Sequence, residues 1–282
     1  MPGALVLSGG GLAGIAWELG VLIGIRDAAP DVYEALTAPE VTYLGTSAGS
    51  AVASQLAGGT SIDDLFAQQV AEETAELGAD IDLVTFQQTM GTLMDGVTSP
   101  QEFRQRLGKF AREADTVPAA DRRAVIEARL PISAWPDRRL LITAVDTATG
   151  ELRVFDRDSG IGLIDAVSAS CAVPGVWPTV EIDGVHYMDG GMRSTSNVDL
   201  VAGCDPVLIL TPSAPTGPMG DAIAAADLGA LGDAAVTSVF ADAASLTAFG
   251  QNPLDPAVRP PSAEAGRAQG RTLAASLQSI WL

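Results

Sequence analysis

The chain has 282 residues, 47% hydrophobic and 18% charged. That is enough apolar material for one large α/β domain or two small ones, and too much for a disordered chain. The 35 acidic and 16 basic side chains give a formal net charge of −19, which excludes a nucleic-acid partner and leaves at most peripheral contact with an anionic membrane. The two cysteines, Cys171 and Cys204, show no C-x-x-C spacing, which excludes a structural zinc site and reads as two free thiols in a reducing cytoplasm.

Ala4-Leu5-Val6-Leu7 is a short apolar run of buried-strand type. The stretch from Ala4 to Ile25 is apolar except for Glu18, yet Met1-Pro2-Gly3 carries no basic n-region and Gly9-Gly10-Gly11 interrupts the run. It reads as a strand, a glycine loop and a helix through about Asp27, in which Leu12, Ile15, Ala16, Leu19 and Ile23 recur at helical spacing. No secretion signal or transmembrane helix is expected, hence a cytoplasmic protein. A second strand, Val41 to Leu44, leads into Ser47, and an Ala-rich helix runs from Ala48 to Ala57. This β–loop–α–β–turn–α order begins a parallel sheet whose first two strands are expected side by side.

Residues 60–135 read as a helical insertion. Ile62, Leu65, Phe66 and Val70 share one face, and Ser99-Pro100-Gln101-Glu102 is a helix start. The insertion fits two roles equally, a cap over an apolar pocket or a layer on one sheet face. Arg139 to Val145 and Leu152 to Phe155 form a predicted hairpin across Thr149-Gly150. A helix from about Ile161 to Ala172 follows, then strands Val185 to Met188 and Val207 to Leu210. An Ala- and Leu-rich helix is expected from Asp221 to Phe249, and after several prolines a last helix from about Ser262 to Ile280. Residues 215–282 thus read as a C-terminal helical extension. No repeat or composition shift divides residues 1–282, which read as a single domain.

Gly45-Thr46-Ser47-Ala48-Gly49 is a G-x-S-x-G pattern between strand and helix, a setting that exposes a serine hydroxyl as a nucleophile. Gly9 to Gly14 satisfies G-x-G-x-x-G and has two readings. A dinucleotide site requires an acid at the end of the second strand, where Leu44-Gly45-Thr46-Ser47 stands instead. Alternatively, the N–H groups of Gly9, Gly10 and Gly11, backed by a helix N-terminus, form an oxyanion hole beside Ser47. The serine needs a proton acceptor. His186, the only histidine, lies three residues before Asp189, so the two side chains point to opposite faces of a strand. Asp189, at a strand end before two glycines, either takes the serine proton directly or makes an ordinary turn.

Four blocks together resemble the patatin-like phospholipase family: Gly9-Gly10-Gly11-Leu12-Ala13-Gly14, Gly45-Thr46-Ser47-Ala48-Gly49, Ala169-Ser170-Cys171-Ala172-Val173-Pro174 and Asp189-Gly190-Gly191. The resemblance spans residues 4 to about 191. It implies an α/β three-layer sandwich with a mostly parallel central sheet flanked by helices. It also implies a Ser47–Asp189 dyad, an oxyanion hole at Gly9, Gly10 and Gly11, and hydrolysis of acyl esters, often of lipids, through an acyl-enzyme. No metal or cofactor is implied. Ala13 stands where the family's glycine block usually carries Arg or Lys, which weakens the expected hold on anionic head groups. Ser170 and Cys171 are expected to pack beneath the site, with Cys171 not a nucleophile. The alternatives are acyl transfer by the same dyad, a dinucleotide-binding oxidoreductase using Gly9 to Gly14, and a catalytically silent lipid-binding protein. No motif specifies the head group, chain length or oligomeric state.

Overall fold

Ala4–Leu7 forms strand β1 and is buried at all four positions, because strands pair with both of its edges and side chains of opposite parity enter separate cores on the two faces. The computed structural model describes residues 1–79, 83–217 and 220–282. After β1 come α1 (Gly11–Ala28), α2 (Pro30–Leu36), β2 (Thr42–Thr46) and α3 (Ala48–Ala57). The insertion contributes α4 (Ile62–Val70), α5 (Leu83–Met94), α6 (Pro100–Glu113) and α7 (Ala119–Arg129). Next are β3 (Leu140–Asp146), β4 (Leu152–Phe155), α8 (Leu163–Ser170), β5 (Val180–Ile182), β6 (Val185–Asp189) and β7 (Val207–Thr211). The chain continues through β8 (Thr216–Gly217), β9 (Gly220–Asp221), α9 (Ala225–Gly229), β10 (Val236–Phe240), α10 (Ala243–Ala248) and α11 (Arg259–Trp281).

The main sheet runs β10-β7-β1-β2-β3-β6-β5, with β4 also paired to β3. The segment from β10 to β3 is parallel, and β4, β5 and β6 are antiparallel additions. The mostly parallel sheet flanked by helices is the fold class the sequence implied, and β1 and β2 are neighbours as expected. Helix α1 is buried along nearly its whole length because α11 lies directly against it. The contact depends on bare backbone: a Cβ on Gly20 would sit 2.2 Å from the Ala263 carbonyl oxygen, and one on Gly266 2.4 Å from that of Trp17.

The expected helix from Asp221 to Phe249 is not formed. Only α9 and α10 are helical there, and Val236–Phe240 is an edge strand on β7. The five residues Val-Thr-Ser-Val-Phe are β-branched or aromatic at four positions and meet an open sheet edge, which overrides the helical propensity of the Ala-rich flanks. Among the described residues, no helix is long and apolar enough to cross a membrane.

Candidate active site

Strand β3 brings Ser47 and Asp189 together. One edge of β3 pairs first with parallel β2, Thr46 opposite Thr143, and then with antiparallel β6, Asp189 opposite Ala144. The other edge is taken by β4. Strands β2 and β6 therefore approach each other end to end and stop at adjacent rungs of β3. Ser47 is the residue just past β2, and Asp189 is the last residue of β6.

Ser47 adopts φ 53° and ψ −120°, a left-sided conformation unfavourable for a residue with a Cβ by about 1–3 kcal/mol. The surroundings hold it there. Its N–H donates to Ser170 Oγ (2.9 Å), while its carbonyl accepts from Ser50 Oγ (2.6 Å) and from the Cys171 thiol (3.2 Å). The glycines of the motif permit the turn. A Cβ on Gly49 would lie 2.0 Å from the Leu7 carbonyl oxygen, and one on Gly45 2.4 Å from Ser50 Cα.

Ser170 and Cys171, expected only to pack beneath the site, clamp both candidate residues together with Ala172. Besides the bonds from Ser170 and Cys171 to Ser47, the Ala172 carbonyl accepts the N–H of Asp189 (2.9 Å). Burial pushes the Cys171 thiol up, so it stays protonated and is no thiolate nucleophile.

Asp189 is buried. Its Oδ1 accepts from the Gly191 N–H (2.7 Å), and its Oδ2 has no hydrogen-bond partner. Burial pushes the carboxyl up to about 6, while the Ser47 hydroxyl, the Gly191 N–H and Arg122 pull it back in that order. The hydroxyl thus acts on the carboxyl, but no direct hydrogen bond to Oδ2 is formed; apo active sites often hold such pairs slightly apart. Beneath the pair, Asn197 Nδ2 donates to Thr46 Oγ1 (3.1 Å) and to the Ser194 carbonyl (2.7 Å), and Thr46 and Thr143 share a hydroxyl contact (2.9 Å).

The glycine loop lies against the serine: a Cβ on Gly9 would be 3.3 Å from Ser47 Cβ. The three N–H groups are not equivalent. Gly9 donates to the Thr195 carbonyl (3.0 Å), so its N–H is already engaged. Gly10 and Gly11 have no acceptor among the described residues, and they open α1, whose N-terminus adds positive dipole.

The cavity at Ser47 holds about 60 Å³, against roughly 300–1,000 Å³ for a site that encloses a small ligand or cofactor. Gly11 and Ile15 come from α1, Leu77 and Leu254 close it from two loops, and Trp177 and Arg122 form a further wall. Arg129 also reaches it and is held by Glu76 in a two-pronged pair (2.9 and 2.6 Å). So part of the 60–135 insertion walls this site. His186 does not line it; its side chain is 40% exposed, touching Thr179 (3.2 Å) and, at 3.8 Å, Glu181. Among the described residues, no cluster of three or more His, Cys, Asp or Glu could hold a metal ion.

A family model described as patatin-like phospholipase matches residues 5–202, a span that holds Ser47, Asp189, the glycine loop and the Ser170 clamp. The chain belongs to the patatin-like phospholipase family. Among solved structures, this patatin-like chain is similar to VipD from Legionella pneumophila, with a TM-score of 0.51 and 14% identity over 98% of this chain and 67% of that one. It is also similar to the type III effector protein ExoU (TM-score 0.44, 19% identity, 100% and 54% coverage). ExoU from Pseudomonas aeruginosa in complex with SpcU gives 0.44, 16%, 99% and 52%. The likeness to VipD is one of fold, and the chain spans only about half to two thirds of these longer chains. Nothing among the curated proteins matches.

Three contributors to the site are not marked as functional in the sequence. Asn197 sits in a left-handed turn at φ 50°, a conformation asparagine tolerates better than most residues, and that offers a faint signal. Arg122 and Trp177 carry none, because each reaches the site from a different distant segment.

Proposed function

We propose that this patatin-like chain hydrolyses carboxylic esters of lipids, with Ser47 as nucleophile and Asp189 as its base. The observation that carries the reading is the end-to-end meeting of β2 and β6. It sets a serine in a strained turn beside a buried carboxylate with one oxygen unbonded. Ser47 Oγ attacks the ester carbonyl and its proton passes to Asp189. The oxyanion is held by the N–H groups of Gly10 and Gly11, with Gly9 supporting the loop instead of donating. The alcohol leaves with the proton from Asp189. Water then attacks the acyl-enzyme, with Asp189 again the base. A carboxyl titrating at about 6 is mostly ionised at neutral pH and more basic than an ordinary aspartate.

The cavity of about 60 Å³ admits the carbonyl and a few carbons, so a long acyl chain is admitted only when Leu77 and Leu254 move aside. In this reading residues 60–135 act as a cap within one domain over 1–282. Acyl transfer to an alcohol uses the same steps with another acceptor. The test is turnover of p-nitrophenyl esters and of phosphatidylcholine in mixed micelles. Ser47→Ala and Asp189→Asn are each expected to lower kcat by ~1,000-fold or more, and His186→Ala to keep most of it. Loss in His186→Ala as deep as in Ser47→Ala would replace the dyad with a triad. No turnover by the folded wild type on any ester would leave a silent lipid-binding protein.

A further inference from the structure

Arg122, on α7, is a buried cation without a counter-ion. It is 8% exposed, and its guanidinium makes no hydrogen bond or salt bridge to any described residue. Its one close partner is the Trp177 ring, 4.0 Å from the guanidinium carbon. The other buried arginines are bonded: Arg129 is paired with Glu76, and Arg259 donates to the carbonyls of Gln68 and Ala71. Burial pulls Arg122 down to about 10, which still leaves it charged at neutral pH. None of its nitrogens is a sealed-off unpaired atom, so the unused N–H groups remain open to an acceptor that enters the spaces Arg122 lines.

The position of Arg122 says where such an acceptor comes from. Arg122 lines both the Ser47 cavity and an outer groove of about 380 Å³, so this one residue stands between the two spaces. In that groove Asp165 is tied to Arg123, and Glu181 lies beside His186. Asp189 and Glu76 act on Arg122 only through space. A planar fork of donors at the mouth of an ester-cleaving site matches the paired oxygens of a phosphate or carboxylate.

We propose that Arg122 is a specificity-determining residue that binds an anionic group, phosphate or carboxylate, carried by the substrate close to the ester Ser47 attacks. The proposal rests on the reading of Ser47 as the nucleophile. The substrate is then an acyl ester bearing one negative group within a few bonds of the carbonyl. That group is either a lipid phosphate or the free carboxylate of a half-ester.

Binding can be read without turnover. Ser47→Ala protein, with and without Arg122→Gln, is titrated calorimetrically with hexyl phosphate, hexanoate and hexanol. The anions are expected to bind ~10- to 100-fold tighter than hexanol, and Arg122→Gln to remove the difference. The tighter anion identifies the source, a phosphate or a carboxylate. Arg122→Lys, which keeps the charge and loses the fork, should lower the preference severalfold, and it serves if the Gln variant does not fold. Equal affinity for all three probes, or a preference that survives Arg122→Gln, overturns the proposal.

In the catalytic arm, the ratio of kcat/KM for an anionic ester to that for a neutral ester of equal length is expected to fall ~10- to 100-fold in Arg122→Gln. If both rates fell together with a displaced pH profile, Arg122 would be serving Asp189 instead, and the proposal would be wrong. Failure of the hydrolase reading shows up separately, as no turnover of either ester by the wild type.

Discussion

Replacing Asp189 with asparagine should inactivate the protein and stabilise its fold, and the stabilisation should depend on pH. The folded carboxyl titrates at about 6 against an ordinary value of 3.8, with burial the main cause. Below about pH 4 the acid is protonated in both folded and unfolded chains, and the shift has no effect on stability. Between about 4 and 6 the unfolded chain ionises while the folded one stays neutral, so the fold loses about 1.4 kcal/mol per pH unit. Above about 6 the loss is complete, at about 3 kcal/mol. Asparagine cannot ionise, and its side-chain oxygen can still accept the Gly191 N–H that Asp189 Oδ1 holds. The variant should therefore be more stable than wild type by about 1 kcal/mol at pH 4.5 and up to about 3 kcal/mol at pH 7.5. The larger gain corresponds to ~6–12 °C in Tm for a chain of this size. Urea titration or calorimetry at both pH values measures the difference. A gain equal at the two pH values, or an Asp189→Asn protein less stable than wild type at pH 7.5, would refute the claim that the site holds a carboxylate against its solvation preference.

Two further outcomes follow from the same geometry. In the proposed mechanism Asp189 accepts the serine proton only when ionised, so kcat/KM should fall tenfold per pH unit below about 6 and level off above it, measured with a neutral ester. The profile should keep that shape in His186→Ala. Ser170→Ala leaves the Ser47 N–H without its buried acceptor, which should lower stability by ~1–3 kcal/mol and reduce kcat through a loosened turn. Unchanged kcat in a folded Ser170→Ala protein would mean the clamp is not what holds the elbow.

The local part of the site was legible in the sequence because it is written in contiguous residues. An apolar strand, a glycine loop, a second strand and a serine between glycines each have a steric reason to occur in that order, and β1 and β2 lie together as short connections dictate. For Asp189 the residues left an approach to Ser47 and an ordinary turn both open, and only the family resemblance chose between them. The physical cause of the approach is that β3 shares one edge between β2 and β6, a pairing no local pattern encodes. The glycine loop shows a similar limit. Three N–H groups look alike in sequence, and only the carbonyl of Thr195, brought in from beyond β6, separates Gly9 from Gly10 and Gly11. Strand β10 was masked because five β-forming residues sit inside an Ala-rich stretch, and the exposed edge of β7 decided the outcome. Arg122 reads as one charge on an amphipathic helix, and its burial depends on Trp177 arriving from another part of the chain.

The central claim is that Ser47 is an activated nucleophile, and covalent labelling tests it most directly. The folded protein is incubated with a fluorophosphonate, its intact mass is measured, and any adduct is mapped by peptide sequencing. The account predicts a single adduct on Ser47, slowed markedly in Asp189→Asn and little changed in His186→Ala. An unlabelled Ser47 in folded protein, or an adduct on another residue, would contradict it.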